Sequence, residues 1–450
     1  MTMKTLRTLA ADLDSGRTTA RALADEAIAR IKDRNGEGSR AFVHVDETRI
    51  RAEADASDKL RAAGIVPSPL AGIPISVKDL LDVRGEVTRA GSIVLKNEKP
   101  AAADAEIVRR LRAAGAVIAG RTNMTEFAFS GLGLNPHYGT PSSPWDRKTG
   151  RITGGSSAGA GVAVADGMSA AAIGTDTGGS IRIPAAFNGV TGFKPTARRV
   201  PTTGCFPLSK TLDSIGPLAP SVACCAVVDA VLSGGPLAVP EALPIGGLRF
   251  AVAKTLVLDE MDDTVAKTFA AALSTLSAAG AKISDIAFAE FGEIPQINAK
   301  GGIIGAEAFA IHRKRLAANG AEYDPRVRGR IERGGQMNVA DYIDVLNART
   351  RLIAAANAVT APYDAILMPS VPRIAPPIAE LEASDDAYAK ANVLMLRNTT
   401  VGNFLDRCGL SIPCHRAGEA PVGLMVMGEA MGDRRLLAIG QAVEAALKRA

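Results

Sequence analysis

Apolar residues recur along the chain in two rhythms, one suited to helices and one to strands. Between Leu6 and Ile31 they stand three and four apart, which predicts two helices separated by the break Ser15-Gly16-Arg17-Thr18. Thr18 or Thr19 is placed to cap the second of these, ALADEAIARI. Alanines and charges repeat at helical spacing from Thr48 to Ala63, and Pro67 and Pro69 close that segment. The rhythm then changes: Ile73, Ile75 and Val77 alternate with Pro74, Ser76 and Lys78, a strand that ends at Lys78-Asp79. Ala105–Gly115 predicts a helix, and AVIAG (116–120) a short buried strand. The alternation returns as strand Leu248–Ala253, helix Thr264–Gly280 and strand Ala281–Ile286. Residues 288 to 360 are helical and more charged, Tyr363–Pro369 is another buried strand, and a helix from Arg434 to Arg449 closes the chain. Strands alternating with helices specify an α/β sheet covered on both faces. The Pro- and Gly-rich stretch from Gly234 to Gly247 is the best candidate for a boundary within it.

One stretch obeys neither rhythm. Thr153 to Pro195 contains two Gly-Gly-Ser units, Gly154-Gly155-Ser156-Ser157 and Gly178-Gly179-Ser180, around a small-residue segment, Ala158 to Gly174. Glycine clusters mark places where the backbone turns tightly or comes close to a ligand. A serine directly after such a cluster sets a hydroxyl beside unobstructed backbone N–H groups, the parts of a nucleophile next to an oxyanion hole. Either unit alone reads in preference as a Gly-rich turn beside a helix; the pair, with a lysine upstream, reverses that preference. The long irregular segment Asn135–Gly150, with the single tryptophan Trp145, leads into this stretch.

Composition narrows the classes of function. Of 450 residues 47% are hydrophobic and 22% charged, so a large core is available. The net charge of +5 is small for this length, and the absence of basic runs with interleaved aromatics argues against nucleic-acid binding. The charged cluster Arg313, Lys314, Arg315, Arg326, Arg328 and Arg330 reads as a solvated helical face in preference to an anion site. Cysteines 205, 224, 225, 408 and 414 are odd in number and lack a C-x-x-C, which suits reduced thiols in a cytoplasmic protein. The opening residues carry Asp12 and Asp14 and lack a continuous apolar core, so they read as an amphipathic helix rather than a signal peptide. Asp166 and the many alanines and glycines around it argue against a membrane span.

A serine nucleophile needs a base. Only His44, His137, His312 and His415 exist, and His137, in the Pro-rich loop, suits a loop hydrogen bond better than proton transfer. Arg182 stands where the last glycine of a G-x-S-x-G elbow would be. Another amine must be considered, and Lys78 stands at the end of an apolar strand in the phrase GIPISVKD, upstream of both Gly-Gly-Ser units, although such a lysine more often reaches out to solvent. GIPISVKD, GGSS (154–157), GTDTGGS (174–180) and IRIP (181–184) together resemble the motif of the amidase signature family. TLDSIGP (211–217), YDAILMP (363–369), RNT (397–399) and PVGLMVMG (421–428) extend the resemblance over nearly the whole chain. Ala158, where the family more often has glycine, is a small-for-small departure.

The resemblance implies one amidase domain over residues 1–450 with a large mixed sheet at its core. It comprises N-terminal helices (1–65), a catalytic core (66–235), a portion walling the pocket (236–360) and a C-terminal return (361–450). It also implies Ser180 as nucleophile, Ser156 as bridging serine after a cis Gly155–Ser156 peptide, and Lys78 as base. Backbone N–H groups of Thr177, Gly178, Gly179 and Ser180 would form the oxyanion hole. An ordinary lysine is protonated near neutrality, so Lys78 must be desolvated among groups such as Ile75 and Val77. Ser157 is expected to hydrogen-bond near the triad, and Asp176 either to orient the loop or to pair with Arg182. For Arg182 an ion pair is favoured over binding a substrate carboxylate. Met124, Thr125, Glu126 and Phe127 resemble a segment lining the acyl pocket, with core packing as the equal alternative. The implied reaction is hydrolysis of a small aryl, aryl-acetic or ureido amide, without metal, organic cofactor, nucleic acid or membrane, in a possible homodimer. The alternatives are a glutaminase-type subunit of a tRNA-dependent amidotransferase and a non-catalytic binding protein on the same fold.

Overall fold

The computed structural model describes residues 3–448, and among them eleven strands join into one mixed sheet. In chain order they are β1 (Phe42–His44), β2 (Pro74–Lys78), β3 (Val117–Thr122), β4 (Ala171–Thr175), β5 (Thr191–Lys194), β6 (Ile215–Ala219), β7 (Arg249–Ala253), β8 (Lys282–Ile286), β9 (Ala365–Pro369), β10 (Gly409–Pro413) and β11 (Gly423–Met427). Their spatial order is β1-β3-β2-β4-β6-β5-β10-β11-β9-β7-β8. Central strands such as AAIGT and GLMVM are buried at every position, because helices cover both faces of the sheet. The edge strand β8, KISDI, keeps Lys282, Ser284 and Asp285 exposed, which discourages edge-to-edge pairing.

The helical periodicity is realised closely. Helices Leu6–Asp14 and Ala20–Lys32 flank the expected break, and Thr19 caps the second by accepting from the Ala22 N–H at 3.0 Å. Helices Glu47–Ala62, Glu106–Ala113 and Asp263–Ala278 occupy the segments read as such. The closing helix is Asp433–Leu447; Arg449, its last expected residue, lies outside the described residues. The 234–247 stretch joins helix Val222–Ser233 to β7, and the strands before and after it belong to the same sheet. The five cysteines are free thiols. Among the described residues no helix is long and apolar enough to cross a membrane.

The small-residue segment has a packing reason. It forms helix Ala158–Ala165, buried over nearly its whole length between neighbouring elements. A Cβ on Gly159 would run into the carbonyl oxygen of Ala41, so only glycine allows that approach.

Two parallel pairings position the chemistry. β2 runs parallel to β3 on one side and to β4 on the other, with Val77 opposite Ile173. The chain passes from β3 across β2 to reach β4. The carboxyl ends of β2 and β4 therefore open side by side where the connections diverge, the usual place for a ligand crevice in an α/β sheet.

Candidate active site

Lys78 is the last residue of β2 and Thr175 the last of β4. The Lys78 side chain has no solvent exposure, and its Nζ donates to Ser156 Oγ at 2.7 Å and to Thr175 Oγ1 at 2.8 Å. Burial lowers its pKa from 10.5 to about 7, opposed in part by the carboxylates of Asp213 and Asp176. No carboxylate forms an ion pair with it among the described residues, so a large share of the amine is neutral near pH 7.

The two Gly-Gly-Ser units form adjoining turns at this end of the sheet. The first contains a cis Gly155–Ser156 peptide and leads into helix Ala158–Ala165; the second leads into helix Arg182–Asn188. They are fastened by the Ser157 N–H, which donates to the Ser180 carbonyl at 3.3 Å. Ser157 Oγ reaches the Thr175 carbonyl at 3.4 Å. Thr125 N–H donates to the Ser156 carbonyl at 3.1 Å, and Gly155 N–H to the Gly131 carbonyl at 2.8 Å.

In the second turn, the N–H groups of Thr177, Gly178, Gly179 and Ser180 donate to no protein acceptor among the described residues. Their carbonyl side is held instead: Thr399 Oγ1 and Thr400 Oγ1 donate to the Gly178 carbonyl at 2.7 and 3.2 Å. Gly179 has φ +138°, and a Cβ there would strike Thr399, so glycine is required on both counts. Thr177 Oγ1 donates to Asp213, which also accepts from the Leu208 and Ser209 N–H groups. Burial raises Asp213 to about 6.

Asp176 makes contacts of both kinds, to the backbone and to Arg182. Its Oδ2 accepts from Ile181 N–H, and it pairs with Arg182, Nη2 to Oδ1 at 2.9 Å and Nε to Oδ2 at 3.0 Å. Both side chains are fully buried. Burial opposes ionisation of Asp176, but the Arg182 charge prevails and holds it at about 2. Asn403 closes the network, accepting from Arg182 at 2.6 Å and donating to Asp176 at 2.9 Å. Protein groups thus engage all three guanidinium nitrogens of Arg182.

The 124–129 segment forms a tight turn after β3, with Phe127 at φ +48° and Ala128 at φ +60°. Met124 and Phe127 are buried in a cluster with Leu80, Tyr323, Val327 and Ile331, and the Phe127 ring meets those of Phe206, His312 and Tyr323. Thr125 Oγ1 is buried without a partner. Glu126 is fully buried, and its carboxylate accepts from Ser92 Oγ, His137 Nε2 and the Asp324 N–H. His137 is thus a hydrogen-bonding loop residue. Across the site, Ile304, Leu396 and Thr400 surround the point where a Cβ on Gly178 would lie.

Most of the basic cluster at 313–330 is placed as expected, but Arg330 departs from a solvated face. Its guanidinium lies 4.6 Å over the Phe129 ring, its Nη1 is buried without a partner, and no carboxylate is within ion-pair distance among the described residues. Burial disfavours its charge. Sequence reasoning assigned no role to Thr175, Thr399, Asn403 or Asp213. Signals existed for three of them, since Thr175 stands in GTDTGGS, Asp213 in TLDSIGP and Thr399 in RNT.

Comparison with known proteins gives the family and the fold. The profile of the family described as Amidase matches residues 23–437. The chain is 36% identical to the 2-amino-5-chloromuconic acid deaminase of Comamonas testosteroni, over 90% of this chain and 88% of that one. It is 34% identical to a glutamyl-tRNA(Gln) amidotransferase subunit of Roseiflexus sp. (strain RS-1), over 95% and 93%. A crystal structure of an amidase superposes with a TM-score of 0.89 at 34% identity, covering 98% of this chain and 99% of the other.

Proposed function

The chain belongs to the amidase signature family of amide hydrolases, and from that premise we propose that Ser180, Ser156 and Lys78 carry its catalysis. The observation that bears most weight is Lys78: fully buried, lowered to about 7 by that burial, and hydrogen-bonded to Ser156 Oγ at 2.7 Å. Neutral Lys78 takes the Ser156 proton while Ser156 takes that of Ser180. The Ser180 oxygen attacks the amide carbon, and the carbonyl π pair moves onto oxygen, where the N–H groups of residues 177–180 receive it. Collapse breaks the C–N bond as the relay returns its proton to the leaving nitrogen. Water, activated by the same relay, then cleaves the Ser180 ester to the acid.

We place the substrates among small amides or ureides, aryl ones included, whose acyl part carries a carboxylate. The uncompensated Arg330 cation beside Phe129 supports this, as does the acidic substrate in the name of the Comamonas relative. A half-buried guanidinium with no carboxylate partner among the described residues favours a carboxylate ligand.

The test is ammonia release from such amides together with labelling by a fluorophosphonate. Ser180→Ala is expected to lose both, and Lys78→Ala to lose turnover while remaining folded. A folded Lys78→Ala variant with normal turnover at neutral pH would refute the assignment. Failure of the wild-type protein to label at Ser180 would favour a non-catalytic binding role. The amidotransferase relative favours a second reading, a subunit that releases ammonia from glutamine within a complex. Purification with bound partners and glutaminase activity only in their presence would decide for it.

A further inference from the structure

The turn Thr125–Phe129 touches three parts of the site with three nearby residues. Thr125 N–H holds the Ser156 carbonyl, Phe129 lies under the Arg330 guanidinium, and between them the Glu126 carboxylate reaches the start of the helix that carries Arg330. That helix, Pro325–Gly334, begins after its N-cap Asp324, whose N–H donates to Glu126 Oε2 at 2.7 Å. Glu126 Oε1 meanwhile accepts from Ser92 Oγ at 2.7 Å and His137 Nε2 at 2.9 Å. At its other end the helix packs Gly334 against Gly305, next to Ile304 beside Gly178.

Glu126 is a fully buried carboxylate whose one ion-pair contact among the described residues is His137 Nε2 at 2.9 Å, and a buried carboxylate needs such donors to offset the loss of water. Its three donors come from three separate segments, which it draws together. Two consecutive residues of the turn, Phe127 and Ala128, hold left-handed backbone angles that non-glycine residues avoid, so the segment is fixed against local preference. Charge-assisted hydrogen bonds are about twice as strong as neutral ones and suit such a clamp.

We propose that Glu126 is a positioning residue that fixes Arg330 relative to the Ser156 turn, so that the protein selects amides bearing a carboxylate at a set distance from the scissile bond. This rests on the reading of Arg330 as the carboxylate anchor. The Glu126 carboxylate is fully buried and already accepts from three protein donors, which suits it to positioning.

The experiment compares acid amides with their diamides: succinamate with succinamide, glutaramate with glutaramide, and terephthalamate with terephthalamide. The readout is the ratio of kcat/KM within the pair hydrolysed fastest. Arg330→Ala should lower this ratio by about 10- to 100-fold, the loss of one charge-assisted contact. Glu126→Gln keeps the shape and one acceptor, and should lower it by about 5- to 10-fold, chiefly through the KM of the acid amide. In the Arg330→Ala background, Glu126→Gln should change the ratio no further. Ser92→Ala, which removes one donor and retains the carboxylate, serves if Glu126→Gln fails to fold and should act in the same direction. If Arg330→Ala leaves the ratio unchanged, the anchor falls and the positioning role with it. If Arg330→Ala acts and Glu126→Gln scales both amides equally, or acts as strongly without Arg330, only the positioning role is overturned.

Discussion

Replacing Lys78 by methionine tests the central electrostatic claim through stability, independently of any substrate. Methionine fills a similar volume and cannot ionise. In the native protein burial lowers Lys78 from 10.5 to about 7, a difference worth about 5 kcal/mol at 1.36 kcal/mol per pKa unit. The sign follows from proton binding. Between about pH 7 and 10.5 the unfolded chain holds a proton on Lys78 that the folded chain does not, so stability rises with pH through that window. Below about 7 both states are protonated and the full penalty is present; above 10.5 it is absent. Lys78→Met removes the penalty but also the two hydrogen bonds to Ser156 and Thr175, a loss of about 2 to 3 kcal/mol with two buried hydroxyls left short of a donor. The variant should therefore be about 2 kcal/mol more stable than the parent near pH 6 and less stable by a similar amount above about pH 10, crossing between about pH 8 and 9. Urea unfolding of both proteins across that range, followed by circular dichroism, measures the difference. A difference that stays flat with pH would show that Lys78 is not desolvated in the folded state. The same property sets activity: kcat/KM should rise with loss of one proton near pH 7.

Thr175→Val removes the second acceptor at Lys78 Nζ, an oxygen that favours the ammonium form. The acid limb of the kcat/KM profile should move to lower pH and kcat fall about tenfold as the amine loses its fixed direction; an unmoved limb would exclude Thr175 from the proton relay. Thr399→Ala frees the Gly178 carbonyl and loosens the 177–180 turn, so kcat should fall about 10- to 100-fold with little change in KM, and an equal loss in both would point to binding instead. Arg182→Met leaves the buried Asp176 without its partner, at a cost of about 3 to 5 kcal/mol in unfolding free energy, and a loss under about 1 kcal/mol would contradict the buried pair.

Much of the site was legible because its determinants are local. The Gly-Gly-Ser units and IRIP encode turns whose backbone angles glycine permits, and the run from Ile73 to Lys78 encodes a buried strand with an amine at its end. Arg182 paired with Asp176, six positions before it, as two oppositely charged residues in one short motif should when neither reaches water. Arg330 reads differently in sequence and in space. In sequence it is one of several arginines on an amphipathic helix, and such residues are usually solvated. Only the packing of its helix against the 124–129 turn brings Phe129 beneath it, with no carboxylate at ion-pair distance among the described residues.

The sequence by itself determined the helical and strand rhythm, the α/β class and the residues of the two turns, since these follow from periodicity and backbone preference over a few positions. Tertiary structure decided how those parts became one site. Strand order set Thr175 beside Lys78 across 97 positions of chain, and the packing of a helix set Thr399 against Gly178 across 221. Such pairings depend on which strands and helices become neighbours, which burial of the whole apolar surface selects. The same holds for Lys78. Its sequence context permitted a solvated amine or a buried one, and only enclosure by elements distant in the chain lowers its pKa toward neutrality.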